Sequence, residues 1–305
     1  MISLHAQRAQ LPGGRWHFQH GPIDIIVGAS GEASALRDAH AKAWQRFQGI
    51  LQELVQELPV LRRAVHGACP VRGPIAQRMW IACKPYQRSF ITPMAAVAGS
   101  VAQELLQFYQ VEGIERAWIN NGGDIAIHLK DNESVRVGLY ANLEKFNAEQ
   151  LQNGITLDGQ LEIRSDSPVS GVATSGWHGR SFSLGIADSV TVLACTAAEA
   201  DAAATVIANA VNIQDTRIAR RPACEIKDDS DLGDRLVTVD VRPLPPELTQ
   251  SALAAGLACA LTLRAQGLIC SAVLVCQNQH MSTDLALQQM QNKRLTIDVC
   301  GTEYA

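Results

Sequence analysis

The chain has 305 residues, 47% of them apolar and 18% charged, with a formal net charge of −4. Such a chain is long and apolar enough to bury a proper core, which excludes a largely disordered protein. The mild acidity argues against nucleic acid or an anionic membrane as the main partner.

The opening MISLHAQRAQLPGGRW lacks the apolar run of a signal peptide, so a cytoplasmic location is expected. PIDIIVG, residues 22 to 28, reads as a short strand. A helix is predicted from Ser30 to Leu58, with apolar residues at helical spacing and a stop at Pro59. Between Cys69 and Pro93 the chain is punctuated by Pro and Arg, and Met79 to Cys83 is strand-like. A second helix is predicted from Met94 to Tyr109; its first two turns hold only small residues, so something should pack closely on it. ERAWIN and IAIHLK flank an NGGD turn, a hairpin signal. Strands SVRVGLY and ITLDGQLEIR follow, then a loop at 165 to 181. The strand GIADSVTVLA leads into a helix with Thr196 as N-cap and Glu199 three residues on, a capping box.

Arg217, Arg220 and Arg221 precede the acidic DDSDLGD and read as a solvated turn of mixed charge. A strand in DRLVTVDVRPL precedes a last helix from Pro246 to Arg264, and LICSAVLVCQ and RLTIDVC read as the final strands. Arg264, Gln266 and Gly267 split the most apolar stretch into halves well short of the roughly 20 residues that span a bilayer, so a buried helix and a strand are expected there. Eight cysteines occur, none in CxxC spacing. Buried free thiols in a reducing compartment are expected rather than structural zinc or an iron–sulfur cluster. Strand pairs alternate with long helices without a βαβ rhythm, which predicts an α+β fold with antiparallel sheets in a single domain, residues 1–305.

Three segments carry candidate chemistry. On the helix after the capping box, Asp201, Thr205, Asn209 and Asn212 fall in about one quadrant of the helical wheel. Carboxylate and hydroxyl oxygens one turn apart suit a hard cation such as Mg²⁺. An exposed stripe usually carries Lys, Glu or Arg, and this one has none after Glu199. In the NGGD turn, Asn121, Gly122, Gly123 and Asp124 can bring backbone amides close to an anion; as a dipeptide signal alone it is a plain hairpin turn. The loop SGVATSGWHGR offers Thr174, Ser175, Gly176, His178 and Arg180. Its hydroxyls, amides and guanidinium suit phosphate oxygens, and it is not a Walker loop. His178 is a candidate general acid or base.

In order along the chain, NNGGDIAI, VATSG, SVTVLA and AEADAAATVIANAV resemble the ApbE family of flavin transferases. The resemblance is to a cytosolic branch in which PVRGPIAQRM and ITPMAAVAGSVAQELL are companions. It implies a T-fold-like architecture of duplicated antiparallel sheets with long helices, here as two structural repeats at about 20–130 and 131–305. It further implies FAD and Mg²⁺ as cofactors and transfer of FMN from FAD to a Ser or Thr of an acceptor protein. By resemblance, Asp201 and Thr205 match the magnesium ligands, with the Ala204 carbonyl as a third. Asn121, Gly122, Gly123 and Asp124, with Thr174, Ser175, Gly176, Arg180 and Asn209, line the nucleotide cleft.

The chain departs from the family where an H-x-x-D-P-x-T-G segment supplies the proposed catalytic histidine. Here the corresponding SFSLGIADSV has no His, and His178 and Asp188 are the candidates in its place. The family's flavin-contacting lysine, in a K-G pair, is replaced by Ala98-Gly99. Two alternatives stand beside FMN transfer: a small-molecule enzyme, such as a hydrolase of heterocycle metabolism, and a non-catalytic flavin-binding accessory protein. A homodimer is expected from base rates alone.

Overall fold

In the computed structural model, residues 5–139 and 159–284 are described, side chains at 139, 159 and 160 excepted. Nine strands form one sheet in which every neighbouring pair is antiparallel. In sheet order these are β1 (Gln7–Gln10), β2 (Trp16–His20), β3 (Ile23–Gly31), β4 (Ile114–Asn121), β5 (Asp124–Leu129), β8 (Gly171–Ser175), β9 (Ser189–Ala194), β12 (Ser271–Cys276) and β13 (Gln279–Ser282). The remaining strands form two-stranded ribbons, β6 (Ser134–Leu139) with β7 (Gly159–Arg164) and β10 (Ile218–Pro222) with β11 (Leu236–Val241). The fold is α+β, with antiparallel sheets and long helices as the sequence pattern predicts.

One face of the large sheet is covered by α1 (Ala33–Leu61), α2 (Pro74–Cys83), α3 (Val97–Leu106), α4 (Ala197–Ala210) and α6 (Pro246–Ala265); a short α5 (Ala223–Ile226) follows β10. Alternation in β3 sends Ile23, Ile25 and Val27 into this core beside Phe18 and Phe47. The opposite face carries a smaller cluster in which Val135, Val137 and Ile163 of the β6–β7 ribbon meet Ile127, Val172 and Leu193. Arg46 of α1 and Arg78 of α2 both pair with the buried Glu104 of α3, at 2.7 and 3.0 Å. That buried charge is compensated from both sides, as a charge removed from water must be.

Several expectations are corrected. The helix predicted from Ser30 begins at Ala33, because Ser30 is paired in β3, and it continues through Pro59 to Leu61. Proline costs little there: it stands two residues from the helix end and deletes a single intrahelical bond, in the turn that begins at the exposed Val55. Met79 to Cys83 is helix, not strand; its apolar run follows Pro74 at the first helical position. The loop expected at 165 to 181 contains β8, hydrogen-bonded in a ladder with β5 and β9 on its two sides. Arg220 and Arg221 belong to β10 rather than to a solvated turn, and Arg220 donates to Asn212 and to the Ile213 carbonyl.

Among the described cysteines only Cys83 and Cys276 are buried, while Cys69 and Cys195 are exposed. The predicted helix Met94 to Tyr109 is met by α3 with a short 3₁₀ turn at each end. By length and composition α6 could cross a membrane, yet a Cβ on its Gly256 would collide with Val211 and Leu274, so it packs against α4's end and β12. Residues 154–158, Tyr140 and the expected strand RLTIDVC lie outside the described residues.

Candidate functional site

The site is built where α3 begins. Residues 95 to 100 are small, and a Cβ on Gly99 would lie 2.2 Å from the Ala197 carbonyl oxygen. Only glycine allows the first turns of α3 and α4 to meet this closely, which accounts for the small-residue run seen in the sequence. The contact delivers Asp201 to the open N-terminus of α3. Its Oδ2 accepts the Gly99 N–H at 2.9 Å, and the Ala98 N–H adds a second bond. A carboxylate satisfies orphan amides and complements the helix dipole there.

The glycine hairpin reaches the same place. The Asn121 side-chain amide donates to the Ala98 carbonyl at 3.1 Å, and the buried Asp124 accepts the Thr174 N–H at 3.1 Å. Gly122 and Gly123 have φ of +67° and +110°, a left-handed backbone that favours glycine. Asn120 closes the turn by accepting the Gly123 N–H at 2.8 Å. Thr174 lies in β8, its hydroxyl 2.9 Å from that of Thr191 on β9. β8 thus ties the hairpin to the strand that feeds α4.

Two carboxyls are consequently desolvated within electrostatic reach of one another. Burial, and then the neighbouring Asp201, push Asp124 well above the usual carboxylate range. Burial likewise pushes Asp201 up to about 7, against the pull of the Gly99 and Ala98 amides. Such a pair favours a proton or a cation between its members. Among the described residues no cluster of three or more His, Cys, Asp or Glu side chains gathers. The carboxyl and hydroxyl groups gathered here offer oxygen atoms, the kind of donor that hard cations such as Mg²⁺ take together with water. Thr205 lies one turn along from Asp201, half-buried, and its hydroxyl makes no hydrogen bond to the described residues. Ala204 is fully buried inside α4.

The polar stripe of α4 divides in two. Asp201 serves the α3 end, whereas Asn209 accepts the Leu184 N–H at 2.9 Å and faces the Ser183 hydroxyl at 3.3 Å. Asn212 donates to the Leu184 carbonyl at 2.8 Å. Asn209 thereby pins the segment that returns to β9. Gly185 in that segment lies against the Ala208 carbonyl, with no room for a Cβ.

His178 and Asp188 are brought together, His178 Nε2 standing 3.7 Å from Asp188 Oδ1. The Trp177 indole N–H donates to the same oxygen at 3.3 Å, and the Gln277 backbone N–H to Oδ2 at 2.6 Å. Gln277 holds a left-handed φ of +43° in the β12–β13 turn, a conformation costly outside glycine. Its contribution to anchoring Asp188 was not legible in the sequence, since no motif links residues 89 positions apart. Two residues beyond His178, Arg180 is exposed. Its Nη1 lies 3.2 Å from where a Gly122 Cβ would be. A guanidinium thus lies across the glycine turn, and the loop and hairpin singled out separately in the sequence share one wall. Ser175 and Gly176 continue that wall; Gly176 presses against the Asp188 carbonyl.

The sequence profile of the family described as AbpE bacteria matches residues 8–291. The chain belongs to this family. A UPF0280 protein of Methanothermobacter thermautotrophicus is 34% identical over 59% of this chain and 65% of its own length, slightly under two thirds of that relative. A UPF0280 protein of Methanopyrus kandleri is 31% identical over 68% of this chain and 78% of its own. Among solved structures, the flavin transferase ApbE from Vibrio cholerae aligns over 92% of this chain and 98% of its own at 10% identity, with a TM-score of 0.44. The family profile and the identity to the Methanopyrus kandleri protein place the chain in an ApbE-like branch together with the UPF0280 proteins.

Proposed function

We propose that this ApbE-like chain binds a flavin nucleotide with Mg²⁺ beside the glycine hairpin and transfers FMN from FAD to a Ser or Thr hydroxyl of an acceptor protein. The single observation carrying this reading is the desolvated pair Asp124 and Asp201, held at the start of α3 beside the Asn121–Asp124 turn. Asp201 and Thr205 would hold the ion, with the Ala204 carbonyl the third ligand that the resemblance implies. Mg²⁺ bound there would neutralise charge on the nucleotide's pyrophosphate.

Gly122, Gly123, Thr174, Ser175, Gly176 and Arg180 would receive the phosphate oxygens through amides, hydroxyls and a guanidinium. The bond that forms joins the acceptor oxygen to the FMN phosphorus, and the bond that breaks is the phosphoanhydride, with AMP leaving. His178 would take the acceptor's hydroxyl proton and Asp188 would hold the imidazole for it. Asn209 acts here indirectly, by holding residues 183 to 185. We also read the sheet as two repeats, about residues 20–130 and 131–305, because hairpin, helices, hairpin recurs in each half. The cytoplasm is the compartment we assign.

The test is a fluorescence titration of the purified protein with FAD and Mg²⁺. Saturable binding is expected, weakened at least about tenfold by Asp201→Ala, which is ~1.4 kcal/mol. His178→Ala should keep binding and stop AMP release in the presence of acceptor. Absence of saturable binding by the unaltered protein overturns the reading. FAD bound by the unaltered protein without AMP release assigns it instead to a flavin-binding accessory role.

A further inference from the structure

We propose that Cys195 and Cys270 form a peroxide-oxidisable dithiol that closes reversibly into a disulfide at the entry to α4. The two residues come together through the ladder. β9 and β12 are antiparallel with Ser271 opposite Leu193, and the Cys270 N–H donates to the Leu193 carbonyl at 2.8 Å. Cys270 stands one residue before β12, and Cys195 one residue after β9. They therefore sit at the same end of two adjacent strands, and their thiols face one another within interaction range. Cys195 follows Leu193 by two positions and so continues its face of the sheet, one register step from Cys270 across the gap between the strands.

The two sulfurs differ in the way a peroxide-reactive pair requires. Cys195 is exposed, whereas Cys270 is part-buried with Leu193 and its neighbours. The Cys270 thiol is held at about 11, by burial first and then by Cys195 and Glu199, with Arg264 acting the other way. Accessible Cys195 is thus the sulfur that meets the oxidant, and Cys270 the one that resolves it.

The Cys195 sulfur attacks one oxygen of hydrogen peroxide, the O–O bond breaks, and the other oxygen leaves as water, giving a sulfenic acid. The Cys270 sulfur then attacks the Cys195 sulfur, the S–S bond forms, and the sulfenic oxygen leaves as a second water. Two thiols lose two electrons and two protons, and one peroxide becomes two waters. The linkage would sit directly before Thr196, the cap of the helix that carries Asp201.

The experiment treats the full-length protein with hydrogen peroxide, blocks remaining thiols with iodoacetamide, and maps peptides by mass. The expected product joins the Cys195 and Cys270 peptides, lighter by two hydrogens than their sum, and dithiothreitol reverses it. In Cys270→Ser, Cys195 should stall as a sulfenic acid that dimedone traps; in Cys195→Ser, Cys270 should remain alkylated. The proposal is overturned if both cysteines stay alkylated under peroxide that oxidises the exposed Cys69. It is equally overturned if Cys195 is found linked to a second chain on a non-reducing gel, or as sulfinic acid with Cys270 still free.

Discussion

Asp201→Asn separates the two roles of the carboxylate at the start of α3. The side chain keeps an oxygen for the Gly99 and Ala98 amides but removes the charge beside Asp124. In the unaltered protein the Asp201 carboxyl rises from 3.8 to about 7. At ~1.4 kcal/mol per pH unit this corresponds to about 4 kcal/mol between its protonated and ionised forms. A carboxyl raised on folding contributes stability that is fully present below the unfolded value near 4 and is lost as pH climbs through 7. The metal-free protein should therefore melt lower at pH 8 than at pH 5.

Asp201→Asn should flatten that dependence and be the more stable of the two at pH 8 by up to about 4 kcal/mol, on the order of 8 °C in a chain of this size. Mg²⁺ should narrow the gap, because binding to the folded state adds ~2.7 kcal/mol at a hundredfold excess over Kd, and close it near a thousandfold excess, where the gain is about 4 kcal/mol. That gain should be absent from Asp201→Asn. Thermal melts at both pH values, with and without Mg²⁺, make the comparison. An unaltered protein at least as stable at pH 8 as its Asn variant, without metal, would refute the argument that the pair is buried at a cost.

Two further substitutions probe the frame around the site. Gly99→Ala puts a methyl 2.2 Å from the Ala197 carbonyl, backbone that cannot rotate away. α3 and α4 must separate, and a loss of about 3 kcal/mol is expected from the urea midpoint; a loss under about 1 kcal/mol would mean that the helices do not touch there. Thr196→Ala deletes the cap on the Glu199 N–H and the hydroxyl's bond to the Glu199 carboxylate. It should lower stability by about 1 kcal/mol with FAD binding weakened only through α4, measured by urea unfolding beside the same titration.

Local chemistry wrote much of this protein in one dimension. The capping box at Thr196 and Glu199 and the NGGD turn each depend on residues within four positions of one another, so the α4 start and the β4–β5 hairpin were legible. So was the α+β class, since helical and strand periodicities alternate in blocks. Tertiary structure decided the rest. β8 reads as loop because GVATS is small and polar, and it becomes a strand only when β5 and β9 supply partners on both sides. Met79 to Cys83 is apolar at every spacing, so packing against α3 chose helix. The stripe Asp201, Thr205, Asn209, Asn212 was visible as a pattern, but its partners come from 98 to 99 and 183 to 184. No short-range rule could assign one end to a helix N-terminus and the other to a returning segment. A side chain's type is local, whereas its solvation and its partners belong to the packed whole.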